Sequence, residues 1–312
     1  MRLFISFLLL IGGALLCLRH FYHVPVQYDD FWLDSPLTKD PSITNKSYLL
    51  SNREVQAPSE LEQPVCVLVH GFSASTFEFD YFKGYMETVD STISFSTVLM
   101  GGHGRDYNAF KSATYFDWQA PVIAEIQSLI HKGYSNITLL GVSTGATILL
   151  HAMLNGDIQM SKIKQLIFID PFLMPQNKLL FLTPYLSRIV SNTRSNATHD
   201  LELKYWHVNR PGYALSQLVR LLKDVRHQLH RLPADASLPP ITVFAAEGDP
   251  VGDTFATKLL LETFLPKTIF HLNSSSHHVL IEPTTKKNWS EDDQKLLDEL
   301  LVKIRNQIKE TN

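Results

Sequence analysis

Six short apolar runs recur along the chain, and each gives way to a loop of small or polar residues. They are 65–69 (VCVLV), ending in His-Gly; 96–100 (STVLM), ending in Gly-Gly-His-Gly; and 137–140 (ITLL), followed by Gly-Val-Ser-Thr-Gly. Then come 166–169 (LIFI), followed by Asp-Pro; 241–245 (ITVFA), leading into Glu-Gly-Asp-Pro; and 268–272 (TIFHL), ending in Asn-Ser-Ser-Ser-His-His. Runs without polar alternation suit strands covered on both faces, as in a parallel sheet. Helical patterns fall between several of them. Residues 117–131 carry Ile123, Ile126 and Ile130 at helical spacing and stop at Lys132-Gly133. Residues 147–154 are apolar and end at Asn155-Gly156, a good C-terminal pair. Ser290 caps a last helix with Glu291, Asp292 and Asp293 in its first turn and an apolar face from Leu296 to Ile308. Strands alternating with helices predict an α/β fold: a mostly parallel central sheet with helices on both faces.

The rhythm breaks between about 172 and 239. This stretch holds Leu179-Leu180-Phe181-Leu182, then 200–206, then 213–232, all rich in helix formers. An insertion of this size belongs above the C-terminal ends of the strands, where the ligand crevice of an open α/β sheet lies. It is read as a helical cap within one globular domain spanning 23–312. With 45% hydrophobic and 19% charged residues in 312, the chain has ample material for a core and is no disordered or collagen-like polymer. A net charge of −3 without a dense basic run excludes the electrostatic footprint of nucleic-acid binding. Two cysteines, Cys17 and Cys66, exclude a disulfide scaffold and a cysteine-rich zinc site.

Residues 1–22 stand apart from that domain. Residues 3–18 (LFISFLLLIGGALLCL) hold no charge and lie between Arg2 and Arg19. Sixteen residues of helix span about 24 Å, a little short of the roughly 30 Å hydrocarbon core. Phe21, Tyr22 and Trp32 follow, residue types that favour a membrane interface. The expectation is an uncleaved membrane anchor, followed by an extended segment over 25–41. The alternative is a signal peptide cut after Gly12-Gly13-Ala14, which would make the protein secreted or periplasmic. The apolar run continues through Leu15 to Leu18, past that site, and favours the anchor.

The chemistry gathers just after the predicted strands. Gly141-Val142-Ser143-Thr144-Gly145 is G-x-S-x-G between a strand and a helix, the setting of a nucleophile elbow. There a strained turn lifts a serine clear of the sheet, and small neighbours let the helix pack close behind. A serine nucleophile needs a base, and the base needs an orienting carboxylate. His277 and His278 are the candidate bases. Asp249 is the candidate acid, with Asp170 and Asp253 as competitors, Asp170 reading more simply as a strand-end cap. The oxyanion needs two donors. They are expected from the backbone N–H of Thr144, after the nucleophile, and of Phe72 in the loop His70-Gly71-Phe72. His70 is expected to support that loop.

With these residues in view, the sequence resembles the α/β-hydrolase superfamily, and within it the monoacylglycerol lipase and bacterial carboxylesterase branch. The matching pieces are His70-Gly71-Phe72, Gly102-His103-Gly104, Asp117-Trp118, the elbow 141–145, Gly248-Asp249-x-Val251 and Ser276-His277-His278-Val279. They cover about 64–282 in the order that family shows. The resemblance implies the α/β-hydrolase fold with Ser143, Asp249 and His278 as a catalytic triad. It selects His278 over His277, since the family's base precedes an aliphatic residue, here Val279. The chain departs from the family at His277, where glycine is usual, at Gly102, where proline is frequent, and at Thr144.

The expected function is a serine hydrolase cleaving carboxylic esters, including lipid-like, monoacylglycerol-type esters, through an acyl-enzyme. A peptidase, amidase or thioesterase on the same triad is the alternative enzyme, and a catalytically silent, membrane-tethered binding protein is the alternative outside enzymes. No cofactor or metal is expected. His227 and His230, three apart on a basic helix, read as a solvated face. The sequons at Asn45, Asn136, Asn196, Asn273 and Asn288 read as chance.

Overall fold

The structure, a computed structural model, describes residues 2–26, 48–195, 199–233, 236 and 238–310. Trp32, most of the 25–41 segment and the sequons at Asn45 and Asn196 lie outside these residues. The six apolar runs form β1 (Val65–Val69), β2 (Ser94–Val98), β3 (Ile137–Val142), β4 (Ile163–Ile169), β7 (Ile241–Ala246) and β8 (Ile269–Asn273). They make one six-stranded sheet in the order β2-β1-β3-β4-β7-β8, parallel at every pairing.

β2 begins two residues before the expected 96–100 and ends at Val98. Its last partner is Val69, beyond which β1 has no residue to offer. The Met100 N–H donates instead to Nε2 of His70 at 3.1 Å. β8 is only half-buried, as an edge strand should be, rather than covered on both faces.

Alternation along β1 explains the two layers of core. Val65, Val67 and Val69 face one side, with Trp118, Val122, Ile126 and Leu129 of α4 (Tyr115–Lys132) and Ile148, Leu149 and Ala152 of α5 (Thr144–Leu154). Cys66 and Leu68 face the other, with Phe82 and Met86 of α2 (Asp80–Val89) and Leu297, Leu301, Ile304 and Ile308 of α10 (Glu291–Lys309). α4 starts two residues before Asp117 because Thr114 and Asp117 form a reciprocal capping box, and it stops at Gly133 in the left-handed region, φ 94°. Ser290 and Asp293 form the same box on α10. The sequence pattern did not signal α2, α3 (Tyr107–Ser112) or α9 (Thr254–Phe264), none longer than 11 residues.

The stretch between β4 and β7 is not wholly helical. α6 (Thr183–Leu186), α7 (Asp200–Tyr205) and α8 (Gly212–Arg231) are joined by a two-stranded antiparallel ribbon of β5 (Asn192–Arg194) and β6 (Asn209–Pro211). Nor is it only a roof. Leu218, Leu221, Leu222, Val225 and Leu229 of α8 are buried in the same cluster as α5.

The apolar N-terminal segment forms α1 (Arg2–Tyr22), longer than the run 3–18. Its 21 residues span about 31 Å, close to the hydrocarbon thickness of a bilayer. None of its apolar window is buried against the rest of the chain. Just beyond the helix, Val24 is tied to β5: its N–H donates to the Asn192 carbonyl at 2.9 Å, and Asn192 Nδ2 donates back at 2.8 Å.

Candidate active site

The chain runs from β1 outward to β2, then crosses back to β3 on the other side of β1. The strand order therefore reverses between β1 and β3, and the crevice at their carboxyl ends is where an open α/β sheet binds ligands. β1 delivers His70-Gly71-Phe72 to that crevice and β3 delivers Ser143.

Ser143 occupies the single residue between β3 and α5 with φ 49° and ψ −119°, a conformation that ordinary side chains avoid. The turn exists because its glycines permit it. A Cβ at Gly141 would lie 2.5 Å from the Ala146 nitrogen, and one at Gly145 would lie 2.0 Å from the Val69 carbonyl oxygen. The loop after β8 brings His278 over this serine, and the loop after β7 brings Asp249. Asp249 Oδ2 accepts from His278 Nδ1–H at 2.7 Å, so Nε2 carries the lone pair and accepts from the Ser143 hydroxyl at 2.8 Å. Asp249 Oδ1 accepts the Val251 N–H at 2.7 Å, which fixes the carboxylate plane.

The other candidates sit elsewhere. Asp170 is buried beside the site, but its oxygens accept the N–H groups of Ala246 (2.7 Å) and Val279 (2.9 Å) rather than the imidazole. It is thus more than a strand-end cap, since it ties the β7 end to the loop that carries His278. Asp253 caps α9 and pairs with Lys178. His277 turns away, 3.5 Å from Asp293 and stacked on Trp289.

The expected oxyanion donors flank the crevice. The Phe72 N–H makes no hydrogen bond within the described residues, and Thr144 opens α5, whose first N–H groups lack partners inside the helix. His70 donates from Nδ1 to the Gly71 carbonyl at 2.9 Å and accepts Met100 N–H at Nε2, so both ring nitrogens hold the loop. Burial pushes its pKa down to about 4, consistent with a neutral structural ring. Phe72 itself rests against Phe110, Trp118 and His103, which explains why His103 of the Gly-His-Gly piece and Trp118 of the Asp-Trp piece are buried.

The charges around His278 favour its protonated form. Burial lowers the pKa of His278, but the hydrogen bond and charge of Asp249, with the charge of Asp170, outweigh it and hold it above the ordinary imidazole value. Burial works against the charged form of Asp249 too, and the His278 bond, with the Val251 and Gly252 N–H groups, keeps its pKa below the usual value. Burial pushes Asp170 up to about 6. Among the described residues no group of three or more His, Cys, Asp or Glu side chains is arranged to hold a metal ion. Two further charged residues, Glu78 and Lys286, touch the loops of the site. Sequence reasoning did not find them, since neither belongs to a motif and their contacts run to backbone atoms.

No family model matches the chain, and no curated protein is significantly similar to it. Solved structures are similar in fold. A metagenome-derived lipolytic enzyme superposes with a TM-score of 0.61 at 17% identity, over 78% of this chain and 95% of that one. A soluble variant of the monoglyceride lipase of Saccharomyces cerevisiae gives 0.62 at 12% identity, over 82% and 89%. The monoacylglycerol lipase of Paleococcus ferrophilus gives 0.55 at 15% identity, over 77% and 96%. The chain has the α/β-hydrolase fold.

Proposed function

We propose that this chain is a serine hydrolase of carboxylic esters, lipid-like ones included, that works through an acyl-enzyme. The observation that carries the reading is the unbroken hydrogen-bonded series from the Ser143 hydroxyl through His278 to Asp249, set at the strand-order reversal. His278 Nε2 takes the Ser143 proton as Oγ attacks the ester carbonyl. The oxyanion is held by the N–H groups of Phe72 and Thr144. The imidazolium, paired with Asp249, then protonates the leaving alcohol, and the neutral ring later activates water to release the acid. Similarity in fold to lipases supports the lipid-like substrate class. α1 is long and apolar enough to anchor the protein in a membrane; a cleaved signal leading to a secreted or periplasmic form is the alternative.

Labelling by a fluorophosphonate probe, with turnover measured on p-nitrophenyl esters and monoacylglycerols, tests the reading. Ser143→Ala should lose the label and about 10⁴- to 10⁶-fold in kcat, by analogy with triad knockouts. A purified variant that keeps a tenth of wild-type turnover would sink it.

A further inference from the structure

Two charged side chains that the proposed chemistry does not use each hold one of the loops that it does use. Glu78, in the tight helical turn Thr76–Phe79, is buried, and its Oε2 accepts the Gly71 N–H at 2.6 Å. A Cβ added at Gly71 would meet Ser143 Cβ at 3.2 Å and the two Glu78 oxygens at 3.4 and 3.5 Å. The carboxylate therefore lies against the same side of Gly71 as the nucleophile. Lys286 follows the turn Pro283–Thr285. Part of its surface reaches solvent, but its ammonium is enclosed and donates to the His278 carbonyl at 2.6 Å.

Charges enclosed in this way are costly unless they are compensated. Burial pushes Glu78 up to about 7, while the Gly71 N–H, Lys286 and His278 pull it down and Glu282 pushes it up. Burial lowers the pKa of Lys286, opposed by Glu78, by Glu202 of α7, by Glu282 and by Asp170 after β4. Lys286 also disfavours the His278 imidazolium, which Asp249 and Asp170 favour.

We infer that Glu78 and Lys286 are a pair of positioning residues whose opposed charges hold the oxyanion loop at Gly71 and the base loop at His278 in one arrangement and set the charge felt by the imidazole. The inference rests on the proposed ester hydrolysis. Its electrostatic half has a sign. Removing the lysine charge makes His278 easier to protonate, so the acid limb of kcat/KM moves to higher pH. Removing the Glu78 charge does the reverse, and because that carboxyl titrates near 7 its shift is the smaller of the two. A role in folding alone moves thermal stability and leaves the limb where it was.

The test uses the full-length protein with p-nitrophenyl butyrate, comparing Glu78→Gln, Lys286→Met and the double variant Glu78→Met/Lys286→Met with wild type. Lys286→Met should lose on the order of 10²-fold in kcat with little change in KM, as expected when a reacting group is displaced by about an ångström. Glu78→Gln keeps an acceptor for Gly71 N–H, so kcat should stay within a few-fold while the acid limb moves down. The double variant, with no uncompensated charge, should lose less than Lys286→Met. If Lys286→Met fails to fold, the limb shift of Glu78→Gln decides alone. Acid limbs that stay in place or move in the same direction overturn the inference, as does a double variant worse than Lys286→Met. A wild-type protein that neither labels with fluorophosphonate nor turns over esters overturns the reading of the site instead.

Discussion

Gly145→Ala and Gly84→Ala are one chemical change at two helical glycines, and the surroundings give them opposite signs. At Gly145 the new methyl would sit 2.0 Å from the Val69 carbonyl oxygen and 2.5 Å from that of His70. Ordinary contact begins at 3.4 Å, so the shortfall is 1.4 Å against backbone that cannot rotate aside. α5 must retreat from β1, and the retreat separates the Thr144 N–H from the Phe72 N–H on the other side of the crevice. Overpacking of this kind costs about 1–3 kcal/mol or more. A displacement of roughly 1 Å at the reacting groups costs on the order of 10² in rate. Gly84 lies exposed inside α2 with nothing within 4 Å of an added Cβ. There the methyl only restricts the unfolded chain and should stabilise by about 0.5–1 kcal/mol, a rise of roughly 1–3 °C in Tm. Thermal unfolding and kcat on p-nitrophenyl butyrate, measured on both variants, check the pair. A Gly145→Ala protein with wild-type Tm and turnover would refute the close packing of the elbow, and a destabilised Gly84→Ala would refute the steric reasoning.

His278→Ala should cost as much as loss of the nucleophile, about 10⁴- to 10⁶-fold in kcat, while His277→Ala, which only breaks the contacts with Asp293 and Trp289, should cost less than about tenfold; the reverse ranking on one ester moves the base to His277. Because His278 must be neutral to accept a proton and Asp249 holds its pKa above the ordinary 6.5, the acid limb of kcat/KM should have its midpoint above that value, and Asp249→Asn should move it down; a wild-type midpoint below 6.5 contradicts this electrostatic account. Deleting residues 1–22 should release the protein into the soluble fraction with short-ester turnover intact, since α1 buries none of its apolar window in the fold and Val24 keeps its bonds to Asn192; full-length protein found soluble with an intact N-terminus by mass spectrometry rules out the anchor.

Much of this architecture was legible because burial and backbone chemistry write themselves into residue types. Continuous apolar runs marked all six strands of the sheet, Ser290 marked the start of the last helix, and the spacing of Ile123, Ile126 and Ile130 placed α4 to within two residues of its start. Boundaries set by partners were not legible. β2 stops at Val98 because β1 stops at Val69, which no local pattern in 94–100 records. The β5–β6 ribbon is three residues a side and has no alternation long enough to detect. The same division applies to the site. Ser143 announced itself through the glycines its turn requires. Glu78 and Lys286 did not, because what they bind are a backbone N–H and a carbonyl, groups every residue has.

The two buried carboxylates beside His278 show why position after a strand is insufficient to identify an acid. Asp170 and Asp249 both follow strands and both lie within electrostatic reach of the imidazole. They differ in what their oxygens already accept. Asp170 has one oxygen on Ala246 N–H and the other on Val279 N–H, so neither is presented to the ring. Asp249 has Oδ1 on Val251 N–H and presents Oδ2 to His278 Nδ1. Ala246 stands three residues before Asp249, and Val279 stands one residue after His278. Asp170 thus spans the roots of the two loops that bring Asp249 and His278 together, and it fixes their separation without bonding to the imidazole. Its backbone at φ 45° and the φ of 56° at Val279 are the local strain of that bridge. Only the convergence of two backbone N–H groups, one from the end of β7 and one from the loop after the neighbouring β8, distinguishes the bridging carboxylate from the one bonded to the imidazole, and that convergence is a property of the sheet order.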